Sequence, residues 1–332
     1  MLVLSGCEVW DRYIHGVQQA AMSTYLVTGG AGFIGSNLVE RLIADGTKVR
    51  VIDNFSTGNR KNLEPFQKQI DFREVDICDL SALQKAVVGC DTIFHQAAIP
   101  SVPKSVIDPI SSHNADITGT LHVLWAAKET GVKRVVYAAS SSAYGDSDVL
   151  PKREDMIPRP ISPYGLMKYV GEEYCRLFTM LYGVETVSLR YFNVFGPRQD
   201  PTSQYSGVLS RFITAMLRGD RPVIFGDGEQ SRDFTFVSNV VAANLQAGRS
   251  QKAVGHVYNV ACGTRITLKD VVKVLNHILG TKLAPIFEPA RAGDIRHSMA
   301  DIQRAADDLG YSPETGFESG LVKTVDWYRK NL

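Results

Sequence analysis

Tyr164 and Lys168 stand four residues apart in Ser162-Pro163-Tyr164-Gly165-Leu166-Met167-Lys168. The segment reads as a helix start, with Ser162 as N-cap and Pro163 at the first helical position. Side chains at i and i+4 then share one helix face. A free phenol, with a pKa near ~10, is a poor base at neutral pH, but a neighbouring ammonium favours its ionised form. The pair therefore has the chemistry to exchange a proton with a substrate hydroxyl. Tyr and Lys share helix faces in many proteins, and the pairing gains weight from Tyr137-Ala138-Ala139-Ser140-Ser141-Ser142-Ala143-Tyr144-Gly145, where a strand ends in small hydroxyl residues. By chemistry alone Ser140, Ser141 or Ser142 can hydrogen-bond a reacting oxygen, and loop-start hydroxyls also satisfy local backbone.

A second constellation lies upstream. In Leu26-Val27-Thr28-Gly29-Gly30-Ala31-Gly32-Phe33-Ile34-Gly35 a strand runs into a helix through glycines at positions 29, 32 and 35. Such a turn lets the backbone approach a pyrophosphate closely and offers it a helix N-terminus. The next strand ends at Asp53, whose carboxylate accepts hydrogen bonds from ribose hydroxyls and repels a 2′-phosphate, so NAD is expected rather than NADP. Bound near Tyr164, an oxidised nicotinamide would add positive charge favouring phenolate. Asp76 and His95-Gln96-Ala97-Ala98 fall where such a cofactor passes, although an aspartate there can be merely solvated and the histidine a satisfied core residue.

These groups must be carried by a large scaffold. The chain has 332 residues, 44% apolar and 21% charged, enough for one large core or one core with a smaller lobe. From Tyr25 short apolar runs alternate with amphipathic stretches. The candidate strands are Tyr25–Thr28, Lys48–Asp53, Ile70–Asp76, Thr92–Gln96, Arg134–Ser140 and Thr186–Tyr191. Between the first two, residues 32–45 place Ile34, Leu38 and Leu42 on one helical face. The pattern predicts an α/β fold with a doubly wound parallel (Rossmann) sheet. After Arg190 prolines and glycines shorten the elements, and a smaller C-terminal substrate-binding lobe is expected over 193–332, interleaved with a cofactor domain over 23–192. Residues 1–22 show no clear period and are set apart as an N-terminal extension.

With 36 basic and 35 acidic side chains the charge of +1 gives no field for wrapping nucleic acid or anionic membrane. No run approaches the roughly 18 apolar residues of a membrane span. Leu4-Ser5-Gly6-Cys7 resembles a lipoprotein cleavage box, but too little apolar chain precedes it. Five dispersed cysteines form neither a metal cluster nor a disulfide framework, so a reducing, cytoplasmic setting is expected.

Together, Gly29/Gly32/Gly35, Asp53-Asn54, the serine run, Tyr164 with Lys168, and Leu189-Arg190-Tyr191-Phe192-Asn193 resemble the extended short-chain dehydrogenase/reductases over residues 23–332. Within that superfamily the chain is similar to the UDP-hexose 4-epimerases, particularly those acting on UDP-N-acetylglucosamine. The resemblance implies that Ser140 and Tyr164 are the catalytic pair and that Lys168 holds the nicotinamide ribose. It adds Phe33, Ile34, Asn54, Ile77, Gln96, Ala97 and Ala98 to the cofactor contacts. It further implies that Ser101, Ser141, Ser142, Asn193, Arg232, Arg291 and Asp294 meet the UDP-sugar, and that Ser298 lies against the sugar's C2 substituent. A tyrosine at that last position accompanies glucose/galactose-restricted members, a small residue tolerance of N-acetyl groups. Pro100 departs from the lysine some glucose/galactose-type members carry. The implied partners are a UDP-sugar and a second copy of the chain in a homodimer. The rivals are UDP-glucuronate epimerisation and nucleotide-sugar dehydration or decarboxylation, whose enzymes usually carry acidic residues where Ser141 and Ser142 stand. A non-catalytic NAD sensor would not need Ser140, Tyr164 and Lys168.

Overall fold

The computed structural model describes residues 23–200, 207–290 and 295–332. Its main sheet has seven parallel strands in the order β3-β2-β1-β4-β5-β6-β7. They are β1 (Thr24–Thr28), β2 (Lys48–Asp53), β3 (Ile70–Glu74), β4 (Thr92–His95), β5 (Arg134–Ser140), β6 (Glu185–Tyr191) and β7 (His256–Val260). The doubly wound sheet expected from the alternating pattern is thus present, with its order reversing between β1 and β4. β3 stops two residues before the predicted end because Asp76 turns the chain, accepting the Cys78 N–H at 2.7 Å.

Helix α1 (Phe33–Ala44) follows the glycine turn and sinks Leu38 and Leu42 completely into the core, while Ile34 is only partly buried. Full burial of one such side chain contributes about 1.5–3 kcal/mol. Helix α2 (Leu80–Val87), α3 (Gly119–Thr130) and α4 (Pro163–Tyr182) cover the opposite face. Beyond β6 the chain leaves the sheet, forms α5 (Val208–Leu217), and comes back through α6 (Val237–Arg249), which packs beside α1, into β7. Strand β7 was not among those expected from the sequence. It pairs with β6, Tyr258 opposite Leu189, and is buried over its last three residues. A separate cluster of α5, α7 (Leu268–Leu279) and α8 (Phe317–Asn331) closes around Phe195, Phe234, Phe236 and Phe317. No described helix is long and apolar enough to cross a membrane.

Candidate active site

The carboxyl ends of β1 and β4 flank the crevice where the strand order reverses, the position at which such sheets take ligands. Gly29 lies there at φ 66°, and a Cβ on it would sit 2.7 Å from the Ala97 backbone. A Cβ on Gly35 would sit 2.2 Å from the Gly29 carbonyl oxygen. Gly32 ends the turn as the N-cap of α1, which has no side-chain cap and so directs backbone N–H groups outward. A cradle only glycine can line, closed by an uncapped helix N-terminus, fits a dinucleotide pyrophosphate. Phe33 and Ile34 form the first turn above it.

Asp53 ends β2 and is buried. Its carboxylate accepts the Ala31 N–H at 2.9 Å and the Phe55 N–H at 2.7 Å. Burial raises its pKa, with these two bonds pulling the other way. A carboxylate has about four lone-pair sites, so it retains capacity for ribose hydroxyls. Asn54 donates to Asp76 at 3.0 Å, and Asp76, despite partial burial, is held below the ordinary range by the Cys78 and Asn54 bonds. Ile77 is buried against Gly119, where any Cβ would collide with it. Gln96 turns its amide to Tyr191 and Asn244 at 3.1 and 3.0 Å, leaving Ala97 and Ala98 partly exposed along the crevice.

His95 is a core residue. Its Nδ1 lies 2.7 Å from Thr28 Oγ1 and its Nε2 3.0 Å from Thr120 Oγ1. Thr120 donates to the Asp116 carbonyl and Thr28 accepts the Ala97 N–H, so the imidazole is assigned as the Nε2–H tautomer. Burial, reinforced by the Lys168 charge, pushes its pKa down to about 3 and keeps it neutral.

Ser162 caps α4 as the spacing predicts, accepting the Gly165 N–H at 3.1 Å. The helix can seat on the end of β5 because Gly165 and Gly171 carry no side chain: a Cβ would lie 2.6 Å from the Ser142 carbonyl oxygen and 2.2 Å from the Tyr137 hydroxyl. A second bolt is the Tyr164 N–H, which donates to Ser105 Oγ at 3.0 Å in the short helix Val102–Ile107. Ser101 caps that helix through the Lys104 N–H at 3.2 Å.

This seating brings Ser140, Tyr164 and Lys168 together. The Ser140 hydroxyl lies near enough to the Tyr164 phenol to ease its ionisation, and the Lys168 ammonium donates to the Ala138 carbonyl at 3.0 Å, 6.0 Å from the Tyr164 ring centroid. One of its three N–H groups is thereby used. Ser141 and Ser142 begin a 3₁₀ turn in which the Ser140 hydroxyl also accepts the Ser142 N–H at 3.1 Å. Where the sequence suggests a phenol eased toward ionisation by Lys168, the structure shows the opposite balance. Burial pushes Tyr164 well above the ordinary phenol value, the Asp116 carboxylate adds to this, and Ser140 opposes it. Burial also lowers Lys168, with Asp116, Cys175 and Glu172 drawing it back up. Asp116 was not singled out from the sequence, where a helix-borne aspartate looks like any solvated one.

Beyond β6, Asn193 stands at φ 33° and donates its amide to the Asp233 carbonyl at 3.1 Å. Arg232 donates to the Ser231 carbonyl at 3.0 Å. The Ser298 N–H reaches the same Ser231 carbonyl at 3.1 Å, so Arg232 and Ser298, far apart in sequence, meet at one short strand. Asp233, also absent from the sequence reading, ties this strand to two loops by accepting the N–H groups of Cys262, Gly263 and Ala300. Burial pushes it up to about 6 against those bonds. Arg291 and Asp294 lie outside the described residues.

A doubly wound sheet with a glycine cradle at its switch point and a Ser-Tyr-Lys set at the adjoining strand end defines a dinucleotide-dependent enzyme of the extended short-chain dehydrogenase/reductase class. The model of the NAD dependent epimerase/dehydratase family matches residues 25–261. A UDP-glucose 4-epimerase of Mycolicibacterium smegmatis is 38% identical, covering 92% of this chain and 98% of its own. The structure of UDP-glucose 4-epimerase from Thermotoga maritima with UDP-glucose superposes with a TM-score of 0.89 at 39% identity, covering 93% of this chain and 99% of that one. That of UDP-N-acetylglucosamine 4-epimerase from Methanobrevibacter ruminantium, in complex with UDP-N-acetylmuramic acid, gives 0.90 at 39%, covering 94% and 99%. The chain belongs to the NAD dependent epimerase/dehydratase family and is an NAD-dependent enzyme.

Proposed function

We propose that the protein epimerises C4 of a UDP-sugar and that its preferred pair is UDP-N-acetylglucosamine and UDP-N-acetylgalactosamine. The observation that carries the chemistry is the meeting of Ser140 and Tyr164 at the end of β5. Bound NAD supplies an oxidant for C4 that can afterwards reduce it. Once ionised beside positive charge from Lys168 and the bound nicotinamide, Tyr164 would take the proton of the C4 hydroxyl as that carbon is oxidised, with Ser140 hydrogen-bonding the same oxygen. Lys168 has N–H groups left to hold the ribose and to steady the charge on Tyr164. After the 4-keto ring turns over, Tyr164 returns the proton to the oxygen of the epimer. Arg232 and Asn193 hold the diphosphate end, so the sugar can swing without release. Ser141 and Ser142, lacking acidic chemistry, favour this cycle over dehydration or decarboxylation. Incubation with UDP-N-acetylglucosamine, UDP-glucose and UDP-glucuronate, with products identified by NMR, tests the reading. Absence of any C4 epimer would reject it.

Asp53 is assigned the adenosine ribose. Apoprotein is expected to bind NAD at least about tenfold more tightly than NADP, a difference of roughly 1.4 kcal/mol. Tighter binding of NADP in a fluorescence titration would remove that role.

The C2 preference rests on Ser298, whose small side chain beside Arg232 leaves room for an acetamido group. Ser298→Tyr is expected to lower kcat/KM on the N-acetylated pair about 10- to 100-fold more than on the glucose/galactose pair, because an overfilled pocket rejects added atoms. Equal losses on both pairs would sink the assignment and leave the epimerase reading intact.

The same reading includes a homodimer. Val106, Ile107 and Ile110 of the short helices before α3, with Leu166, Met180 and Leu181 of α4, are large apolar side chains left exposed on adjoining elements. Sedimentation at monomer mass across micromolar concentrations would exclude it.

A further inference from the structure

Asp116 has no part in the cycle just described. It lies in the π-helical segment Asn114–Thr118, directly before α3, and this segment packs on α4. None of its surface reaches solvent. Its Oδ1 accepts the Ile99 N–H at 2.8 Å, and its Oδ2, also buried, has no hydrogen-bond partner among the described residues. Its main-chain oxygen takes the Thr120 hydroxyl at 2.8 Å, the last link of the chain running through His95 and Thr28 to the Ala97 N–H. Asp116 therefore fixes both ends of the loop after β4, one through its side chain and one through its backbone.

A carboxylate sealed from water with one oxygen unmatched is costly to bury, and a nearby cation is the usual compensation. The titratable groups around it come from several elements. The turn after β3 supplies Cys78, with Asp76 beside it; β4 supplies neutral His95, and β5 supplies Tyr137. Helix α4 supplies Tyr164, Lys168, Glu172 and Cys175, with Glu172 already matched to Arg190 of β6. His122 of α3 faces the Ile77 carbonyl instead. Burial pushes the Asp116 carboxyl above its ordinary range, and the Lys168 charge and the Ile99 bond draw it back down, while the Asp116 charge raises both Tyr164 and Lys168.

We infer that Asp116 is a positioning residue of the proton-transfer centre: its carboxylate, buried where its segment packs on α4, balances the Lys168 ammonium and holds the Ile99 end of the loop after β4. The inference rests on the reading of Tyr164 as the group that exchanges the C4 proton. It gives the site a third ionisable member, whose charge adds to burial in disfavouring phenolate and lets the centre respond to positive charge brought beside it.

Asp116→Asn removes the charge while keeping the shape and an oxygen for Ile99. A phenol freed of a nearby anion ionises more readily, and an ammonium deprived of its counter-charge releases its proton more readily. Both limbs of the pH profile of kcat/KM are therefore expected to move to lower pH, by on the order of one unit. Ultraviolet titration of phenolate, taken as the difference between each protein and its Tyr164→Phe derivative, should record the same displacement for Tyr164 without turnover. Asp116→Glu, which keeps the charge, should leave the limbs near their original positions even if activity falls. Lower activity in Asp116→Asn with unmoved limbs and an unmoved Tyr164 titration would overturn the inference. Equal displacement in the Asn and Glu variants would also overturn it, since shape and not charge would then be the cause. Failure of the underlying reading would register separately, as turnover retained by Tyr164→Phe.

Discussion

Replacing Tyr164 by Phe is expected to lower turnover by on the order of 10² to 10⁴-fold or more, the usual scale for loss of a positioned acid/base. Only one oxygen is removed. The elements that seat the ring stay in place: the Ser162 cap, the Ser105 bond to the Tyr164 backbone, and the glycine contacts of α4 with β5. The variant should therefore fold and retain NAD, which denaturation of the purified protein would release for measurement. Ser140 keeps its bond from the Ser142 N–H, but its hydroxyl alone is too weak a base to replace the phenol. Turnover near the parent level would eliminate the proposed proton transfer.

The second large effect is on stability. Arg190 and Glu172 form a two-pronged pair joining β6 to α4, with Nε to Oε1 at 2.9 Å and Nη2 to Oε2 at 2.7 Å. Their side chains are 3% and 1% exposed, so neither charge is relieved by water. The pairing holds Arg190 charged against its burial, and the guanidinium also lies 4.6 Å from the Tyr144 ring centroid. Glu172→Ala would strand that cation and is expected to cost about 3–5 kcal/mol, the range for breaking a buried pair on one side. Replacing both partners together, Glu172→Leu with Arg190→Met, should cost distinctly less than the sum of the single changes, because no charge is then left unmatched. Urea denaturation of the parent, Glu172→Ala, the single variants Glu172→Leu and Arg190→Met, and the double variant gives the comparison. A loss below about 1 kcal/mol in Glu172→Ala would show that the pair does not anchor α4. The consequence reaches function, since α4 carries Tyr164 and Lys168 and a loosened helix would move both from Ser140.

Taken by itself, the sequence determined what short-range physics controls. The Ser162 cap and Pro163 set the start of α4, and helical periodicity then placed Tyr164 and Lys168 on one face. Alternating apolar runs located six strands of the sheet, and the spacing of Gly29, Gly32 and Gly35 marked the turn that the structure closes against Ala97. Each of these depends on neighbours within a few residues, so it can be read before any tertiary contact is known. Tertiary structure alone decided which carboxylates lost their water. Asp116, Glu172 and Asp233 look in sequence like surface charges, yet each is buried and acts on residues of other elements. It likewise decided that β7 returns to the sheet beside β6, and that Ser298 meets Arg232 through the Ser231 carbonyl. Those outcomes depend on desolvation and on pairing between distant segments. Both arise only once the chain has closed on itself, since a charged side chain has the same local signature whether it ends in water or in the core.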